Sequence, residues 1–297
     1  MELRVLRYFL AVAREESISG AAEYLHLSQP TISRQLMDLE EELGKKLFIR
    51  GNRSITLTEE GNLLRKRAGE IIDLVEKTTN ELSAMDSDLA GDIYVGAGET
   101  EGVHFLTRTA RKLQAQYPQL HFHISSGDAR DVTDQLDKGL IDFGLLFEPI
   151  NQNKYNTYRL PVYDTWGVLM RRDSPLAEKT SISPRDITDK PLIVSRNLQE
   201  GSPLDGWLGK SLRGLNIAAT YSLAYNASLM VEDGMGYALV LDRIINTSGD
   251  SPLCFRPLAP ALHAHMSIVW KKYQVFSKPA EKFLTILRME DGEPKEN

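Results

Sequence analysis

The sequence predicts an α/β protein in three parts: a small helical N-terminal unit closed by a β-hairpin, one long helix, and a C-terminal region of two α/β subdomains. Three observations carry this. Apolar residues step by three and four through the first forty-three positions, and two short β-like runs then flank Gly51-Asn52-Arg53. An apolar seam spaced four, three, four, three, four runs from Leu64 to Leu82. From Asp92 onward, short apolar runs alternate with amphipathic stretches, the pattern of a parallel sheet covered by helices.

Leu3, Leu6, Leu10 and Ala13 predict the buried face of a first helix. Ser17 stands where an N-cap belongs. The helix after it turns Ile18, Ala21, Ala22 and Leu25 inward, and its two alanines allow a close helix approach. His26-Leu27-Ser28 breaks the period. Ser28 can cap a third helix, where Pro30 is tolerated because first-turn N–H groups have no helical partner. Ile32, Leu36, Leu39 and Leu43 form its buried stripe. Gln29, Pro30, Ser33, Arg34 and Met37 are left on the opposite face.

That face suits a major groove. Gln can read adenine with two hydrogen bonds, Arg can read guanine or hold phosphate, and Ser can do either. The same face also suits an ordinary solvated helix. The following hairpin decides between them: Leu47-Phe48-Ile49-Arg50 and Ser54-Ile55-Thr56-Leu57 read as two strands with Arg53 at the tip. Helix, turn, helix and basic wing together predict a winged helix-turn-helix.

The net charge of −6 at first opposes nucleic-acid binding. Residues 1–90 hold twelve basic and sixteen acidic side chains. The layout matters more than the sum. Residues 43–58 carry Lys45, Lys46, Arg50 and Arg53 with no acid, while Glu40, Glu41 and Glu42 cluster elsewhere. Cys254 is the single cysteine, so no disulfide framework is expected. MELRVLRYF lacks the form of a secretory leader, and no apolar run is long enough to span a membrane. A cytoplasmic protein is expected.

Residues 1 to about 85 resemble the DNA-binding region of the LysR-type transcriptional regulators. The resemblance rests on LRYFLAVAREESISGAAEYLHLSQPTISRQLMDLEEELGKKLF and IRGNRSITLTEEG. It implies DNA contacts at Gln29, Pro30, Ser33 and Arg34, with Arg50 and Arg53 on the wing. Gly20 departs from the family pattern, where a larger residue is commoner.

Thr58 can cap the long helix, with Glu59 and Glu60 in its first turn. Leu64, Ala68, Ile71, Val75, Thr78 and Leu82 make the seam. Two readings stay open: packing on the protein's own body, or pairing with a second copy. The resemblance implies an antiparallel pair in a homodimer that assembles into a homotetramer, double-stranded operator DNA as a partner, and RNA polymerase as a further one.

In the C-terminal region, Asp92–Gly98, Leu120–Ile124 and Ile141–Phe147 read as strands, with helices through Phe105–Tyr117 and Val132–Leu140. The alternation resumes around Leu192–Ser195, Ile217–Leu223 and Tyr237–Leu241. Gly96, Gly98 and Gly102 miss the dinucleotide spacing by one residue. The element order, with LDKGLIDFGLLFE and MVEDGMGYALV, resembles the effector-binding region of the same family, built like a type 2 periplasmic binding protein. That likeness implies a small-molecule effector between two subdomains. The crossings are placed near Pro161–Trp166 and His265–Val269, with a returning helix from Ser277 to Met289 and a disordered tail. The expected domains are 1–58 (winged helix-turn-helix), 59–88 (linker helix), 91–163 with 267–292 (subdomain I) and 164–266 (subdomain II).

Ligands of open α/β sheets sit at the carboxyl ends of strands. That rule selects Glu99, Thr100, Glu101, Ser125, Ser126, Phe147 and Glu148 from one subdomain. From the other it selects Ser195, Arg196, Gly201, Ser202, Tyr225 and Asn226. The family likeness singles out Thr100. An enzyme is the rival class, but Cys254 has no evident base. His121 with His123, and His263 with His265, lack the further ligands a metal site needs, so no metal, cofactor or catalytic residue is expected. A transport solute-binding protein is the second rival, opposed by the DNA-binding head.

Overall fold

The computed structural model describes residues 1–51, 55–83, 89–198 and 202–289, without the side chains of Arg50, Ser83 and Arg213. The chain divides into two compact units, residues 1–83 and 84–297.

The first unit opens with α1 (Leu3–Glu15), α2 (Ile18–Leu25) and α3 (Gln29–Leu43). Ser17 Oγ accepts from Gly20 N at 3.2 Å and Ser28 Oγ from Thr31 N at 3.4 Å, so each serine caps the helix that follows it. Gly44, at φ +63°, closes α3 in the left-handed region that glycine tolerates best. Strands β1 (Phe48–Arg50) and β2 (Ile55–Leu57) pair antiparallel, and α4 (Glu59–Ser83) follows. Thr58 Oγ1 accepts from Gly61 N at 2.9 Å and donates to the Lys46 carbonyl at 2.8 Å, which ties the start of α4 to the base of the hairpin.

The buried stripe of α1 differs from the expected one. Val5, Leu6, Phe9 and Val12 are buried, whereas Leu3 is 44% exposed and Leu10 is half-buried. Apolar residues fill a wide arc of the helix, opposite Arg4, Arg7, Arg14 and Glu15, so period alone does not fix which part of the arc is buried. The partners decide: Phe9 meets Phe48 with tilted rings whose centroids are 5.2 Å apart, and the stripe meets Ile32, Leu36, Leu39, Leu47, Ala68 and Ile72 in one core. Leu43, expected inside, is 40% exposed because α3 ends there.

The seam of α4 splits. Leu64, Ala68 and Ile71, with Ile72, pack into the unit's own core. Further along the seam Val75 is half-buried and Thr78 and Leu82 are exposed; Leu63 and Leu74, beside the seam, are exposed as well. The early turns thus follow the own-body reading.

Among the described residues the second unit holds nine strands. In the first subdomain β3 (Gly91–Ala97) lies between β4 (Leu120–Ser126) and β5 (Phe143–Phe147), all parallel. Helices α5 (Val103–Gln116) and α6 (Ala129–Lys138) connect them. The 17-residue β6 (Tyr155–Arg171) then runs out of this sheet and into the next. Its Tyr155–Thr165 part pairs with β11, and Trp166–Leu169 pairs with β9. In the second subdomain come α7 (Pro184–Ile187), β7 (Leu192–Ser195), α8 (Pro203–Leu208), β8 (Ile217–Tyr221), α9 (Ala224–Glu232), β9 (Tyr237–Leu241) and β10 (Leu253–Pro257). Strand β11 (His263–Lys271) returns beside β5, and α10 (Lys278–Met289) completes the first subdomain.

The two sheets keep separate cores. Phe105, Leu113, Phe283 and Leu287 cover one face of the first sheet, and Val132 and Leu136 the other. Gly96 serves packing: a Cβ there would sit 2.7 Å from Ile141 Cδ1 and 3.2 Å from Val132 Cγ1. Cys254 is buried in the second core, and burial pushes its thiol pKa up, which suits an inert packing group.

Candidate DNA interface and effector cleft

The outward face of α3 stands as the sequence predicts. Gln29, Pro30 and Arg34 are exposed, Ser33 is half-buried, and Met37 is 47% exposed. Among the described residues no carboxylate forms an ion pair with Arg34. Arg53 and the Arg50 side chain lie outside the described residues.

Lys45 pairs with Glu60 at 3.6 Å and Lys46 with Glu40 at 2.8 Å, so half of the basic cluster is internally matched. Glu40 itself is not a surface acid. It is 8% exposed, and its Oε1 accepts from Leu47 N at 2.8 Å and Phe48 N at 3.3 Å. One carboxylate thereby pins the first wing strand to α3. Helical period places Glu40 on the buried stripe, four residues after Leu36, but only the fold brings the Leu47 and Phe48 amides to it.

Burial pushes the Glu40 carboxyl upward, but donation from Lys46 and the two amides outweighs it, and the group sits below its ordinary value. A lowered folded pKa means stability present above the unfolded pKa and lost as pH falls through the folded one. Glu40→Gln is therefore expected to destabilise the N-terminal unit by about 1.5–3 kcal/mol near neutral pH. The gap to wild type should narrow as pH falls below the ordinary glutamate range. Urea melts from pH 7 downward check this, and a gap independent of pH would refute it.

The predicted cleft residues sit at or after the carboxyl ends of strands in both subdomains. Thr100 Oγ1 donates to Asp164 Oδ2 at 2.5 Å and accepts from Gly102 N at 3.0 Å, with Met266 Sδ 3.4 Å away. Asp164, on the crossing part of β6, is 1% exposed. Burial pushes its pKa up, assisted by Asp242 and Glu101 and opposed by the Thr100 hydroxyl and Arg243. Arg243 Nη2 lies 3.7 Å from Asp164 Oδ1.

Two contacts bridge the subdomains. The Glu99 carboxylate accepts from Ala224 N, at the first turn of α9. The Arg196 guanidinium donates to Asp128 and, at 3.1 Å, to Asp131 Oδ2. Asp128 is also the N-cap of α6, accepting from Arg130 N at 2.9 Å and Asp131 N at 3.1 Å. Burial pushes its pKa up, yet Arg196 and these amides hold it below the usual carboxylate range.

The predicted cleft residues separate into groups. Glu99 and Arg196 make these inter-subdomain contacts, Thr100 holds Asp164 beside the crossing, and Glu101 lies near enough to influence Asp164. Ser125 turns away, donating to Gln135 Oε1 at 3.2 Å. Phe147 packs on the first core, and Glu148 accepts from Ser267 Oγ at 3.2 Å. Ser195 Oγ accepts from Asn197 N at 3.3 Å, and Ser202 caps α8. Ser126, Tyr225 and Asn226 are exposed, and Gly201 lies outside the described residues. Asp128, Asp164 and Arg243 were missed. The aspartate pair Asp128 and Asp131 carried a readable signal, a capping box, whereas Asp164 sits in a strand with no motif.

Among the described residues no group of three His, Cys, Asp or Glu side chains could hold a metal ion. His121 and His123 instead lie 3.9 and 3.1 Å from Asp92 Oδ1, and His263 and His265 flank the Tyr163 ring. No described helix is long and apolar enough to cross a membrane.

The fold and its two sites define a winged helix-turn-helix regulator with a two-subdomain effector region. Residues 3–62 match the bacterial regulatory helix-turn-helix proteins of the lysR family, and residues 86–291 match the LysR substrate binding domain. The chain belongs to the LysR family of DNA-binding transcriptional regulators, and the enzyme reading is set aside with that assignment. The HTH-type transcriptional regulator YtlI of Bacillus subtilis (strain 168) is 31% identical over 76% of this chain and 74% of its own length. The HTH-type transcriptional activator IlvY of Salmonella typhimurium is 25% identical over 84% of this chain and 85% of its own. The crystal structure of CbnR, a LysR family transcriptional regulator, matches with a TM-score of 0.74 at 20% identity, covering 97% of this chain and 99% of that one. A second structure, of full-length CbnR complexed with its target DNA, gives 0.73 at 20% identity over the same shares.

Proposed function

We propose that this regulator binds dyad operators as a homodimer or homotetramer in the cytoplasm and answers to a small polar metabolite held between its two α/β subdomains. The exposed polar face of α3 carries the DNA half of the reading: Gln29, Ser33 and Arg34 read bases or hold phosphate, while Arg50 and Arg53 reach the backbone from the wing. Exposed Leu63, Leu74 and Leu82 on α4 support a second copy, since two heads on a two-fold axis meet two half-sites. The effector half rests on Thr100 and on the contacts between subdomains, because a ligand that favours one closure state shifts the population of both. RNA polymerase is the further partner.

Footprinting on DNA flanking the protein's own gene, with and without a metabolite panel, tests the reading. Protection of two half-sites spaced by whole helical turns is expected, with affinity falling steeply as salt rises. Protection of a single half-site, or binding insensitive to salt, would overturn it.

A further inference from the structure

We infer that the effector cleft of this chain selects a hydrogen-bond-donating cation, a small organic amine, rather than a carboxylate. The inference rests on the cleft being the effector site and names the ligand class that site accepts.

The N-terminus of α9 and Arg196, which could attract an anion, are already engaged by the protein's own carboxylates. The N-terminus of α9 receives Glu99. Arg196 is held by Asp128 and Asp131. Asp128 leaves only 2% of its side chain exposed, so withdrawing Arg196 to serve a ligand would strand a buried carboxylate.

The atoms left to meet a ligand are acceptors. Thr100 has one proton, which goes to Asp164, and one of its two lone pairs takes the Gly102 N–H. Its remaining capacity is a single lone pair. Among the described residues, two buried side-chain oxygens lack a hydrogen-bond partner: Asp164 Oδ1 and Asn197 Oδ1. Asn197 presents that oxygen because its amide nitrogen serves Asp128. Asp164 is almost wholly buried, and the one cation near it, Arg243, stands at 3.7 Å, beyond hydrogen-bond reach, and is shared with Asp242 at 3.2 Å. A buried carboxylate oxygen in that condition is stabilised by a donor, and most by a charged one. An ammonium group supplies three donors to Asp164 Oδ1 and the Thr100 lone pair together. A ligand carboxylate would instead face Asp164, Glu99 and Glu101, with the nearby Arg243 already shared between Asp164 and Asp242.

The test is calorimetry and thermal shift on the full-length protein with 1,4-diaminobutane, ethanolamine and glucosamine as amine probes. Succinate, glycolate and gluconate are the matched anions. At least one amine should bind and raise the melting temperature while the anions do not. Asp164→Asn should weaken that amine at least tenfold. Arg243→Gln should tighten it about threefold by removing the competing cation. The free-state melting temperatures of both variants report whether they fold. If only anions bind and Thr100→Val abolishes their binding, the cleft is the effector site and the ligand class is wrong. If an amine binds but neither Asp164→Asn, Arg243→Gln nor Thr100→Val changes its affinity, both the class and the site fall. Silence from every amine also overturns the inference.

Discussion

Gly61→Ala is expected to disrupt the N-terminal unit and abolish operator binding. A Cβ at Gly61 would stand 2.1 Å from the Leu47 carbonyl oxygen and 3.0 Å from Leu57 Cδ2. Neither neighbour can yield cheaply. The Leu47 carbonyl accepts from Thr58 N at 3.0 Å, and the Leu47 amide donates to buried Glu40. The clash therefore pushes the start of α4 away from the wing base that it must hold. Overpacking of this kind costs roughly 1–3 kcal/mol and more where backbone blocks the space, a large part of a small unit's stability. Gly69 on the same helix is the control, since nothing lies within 4 Å of its Cβ. Gly69→Ala should be neutral or stabilising by up to about 1 kcal/mol. Thermal melts and operator binding of the two variants decide the matter, and equal behaviour would refute the close approach.

Arg34→Ala should leave the fold intact and weaken operator binding by about 1–3 kcal/mol, roughly fivefold to 150-fold. Arg34 is exposed on the outward face of α3, so its removal strands no described carboxylate. Fluorescence anisotropy against operator and scrambled DNA, across a salt series, separates its two roles. If Arg34 reads a base, the loss falls mainly on the operator. If it holds a phosphate, both DNAs lose affinity and the salt slope drops by about one. Unchanged binding to both would remove Arg34 from the interface. Adding Arg53→Ala should deepen the loss, because the wing reaches a different part of the duplex.

How much of this was legible in the sequence varies with the distance between partners along the chain. Ser17, Ser28 and Thr58 could be read as caps because a cap bonds to an amide two or three residues on. The outward face of α3 followed from helical period alone. The stripe of α1 did not, since its apolar arc is wide and Phe48 with Ile32 chose which part is buried. Period puts Glu40 in line with Leu36, but only the hairpin brought two amides to it.

The cleft shows the same division more sharply. Thr100 was found because it follows the end of a strand, which is local, and because the family likeness singles it out. Its partner Asp164 lies sixty-four positions away, and Arg196 meets Asp128 across sixty-eight. No spacing rule spans such distances; only the two crossings of the sheet set them. By itself the sequence determined a DNA-reading head, a long apolar-seamed helix and an α/β region with a cleft at its strand ends, because those depend on residue type and period. Tertiary structure decided which carboxylates are buried, which cations they hold and which acceptors are left for a ligand, because pairing and desolvation depend on what the fold brings together from far apart.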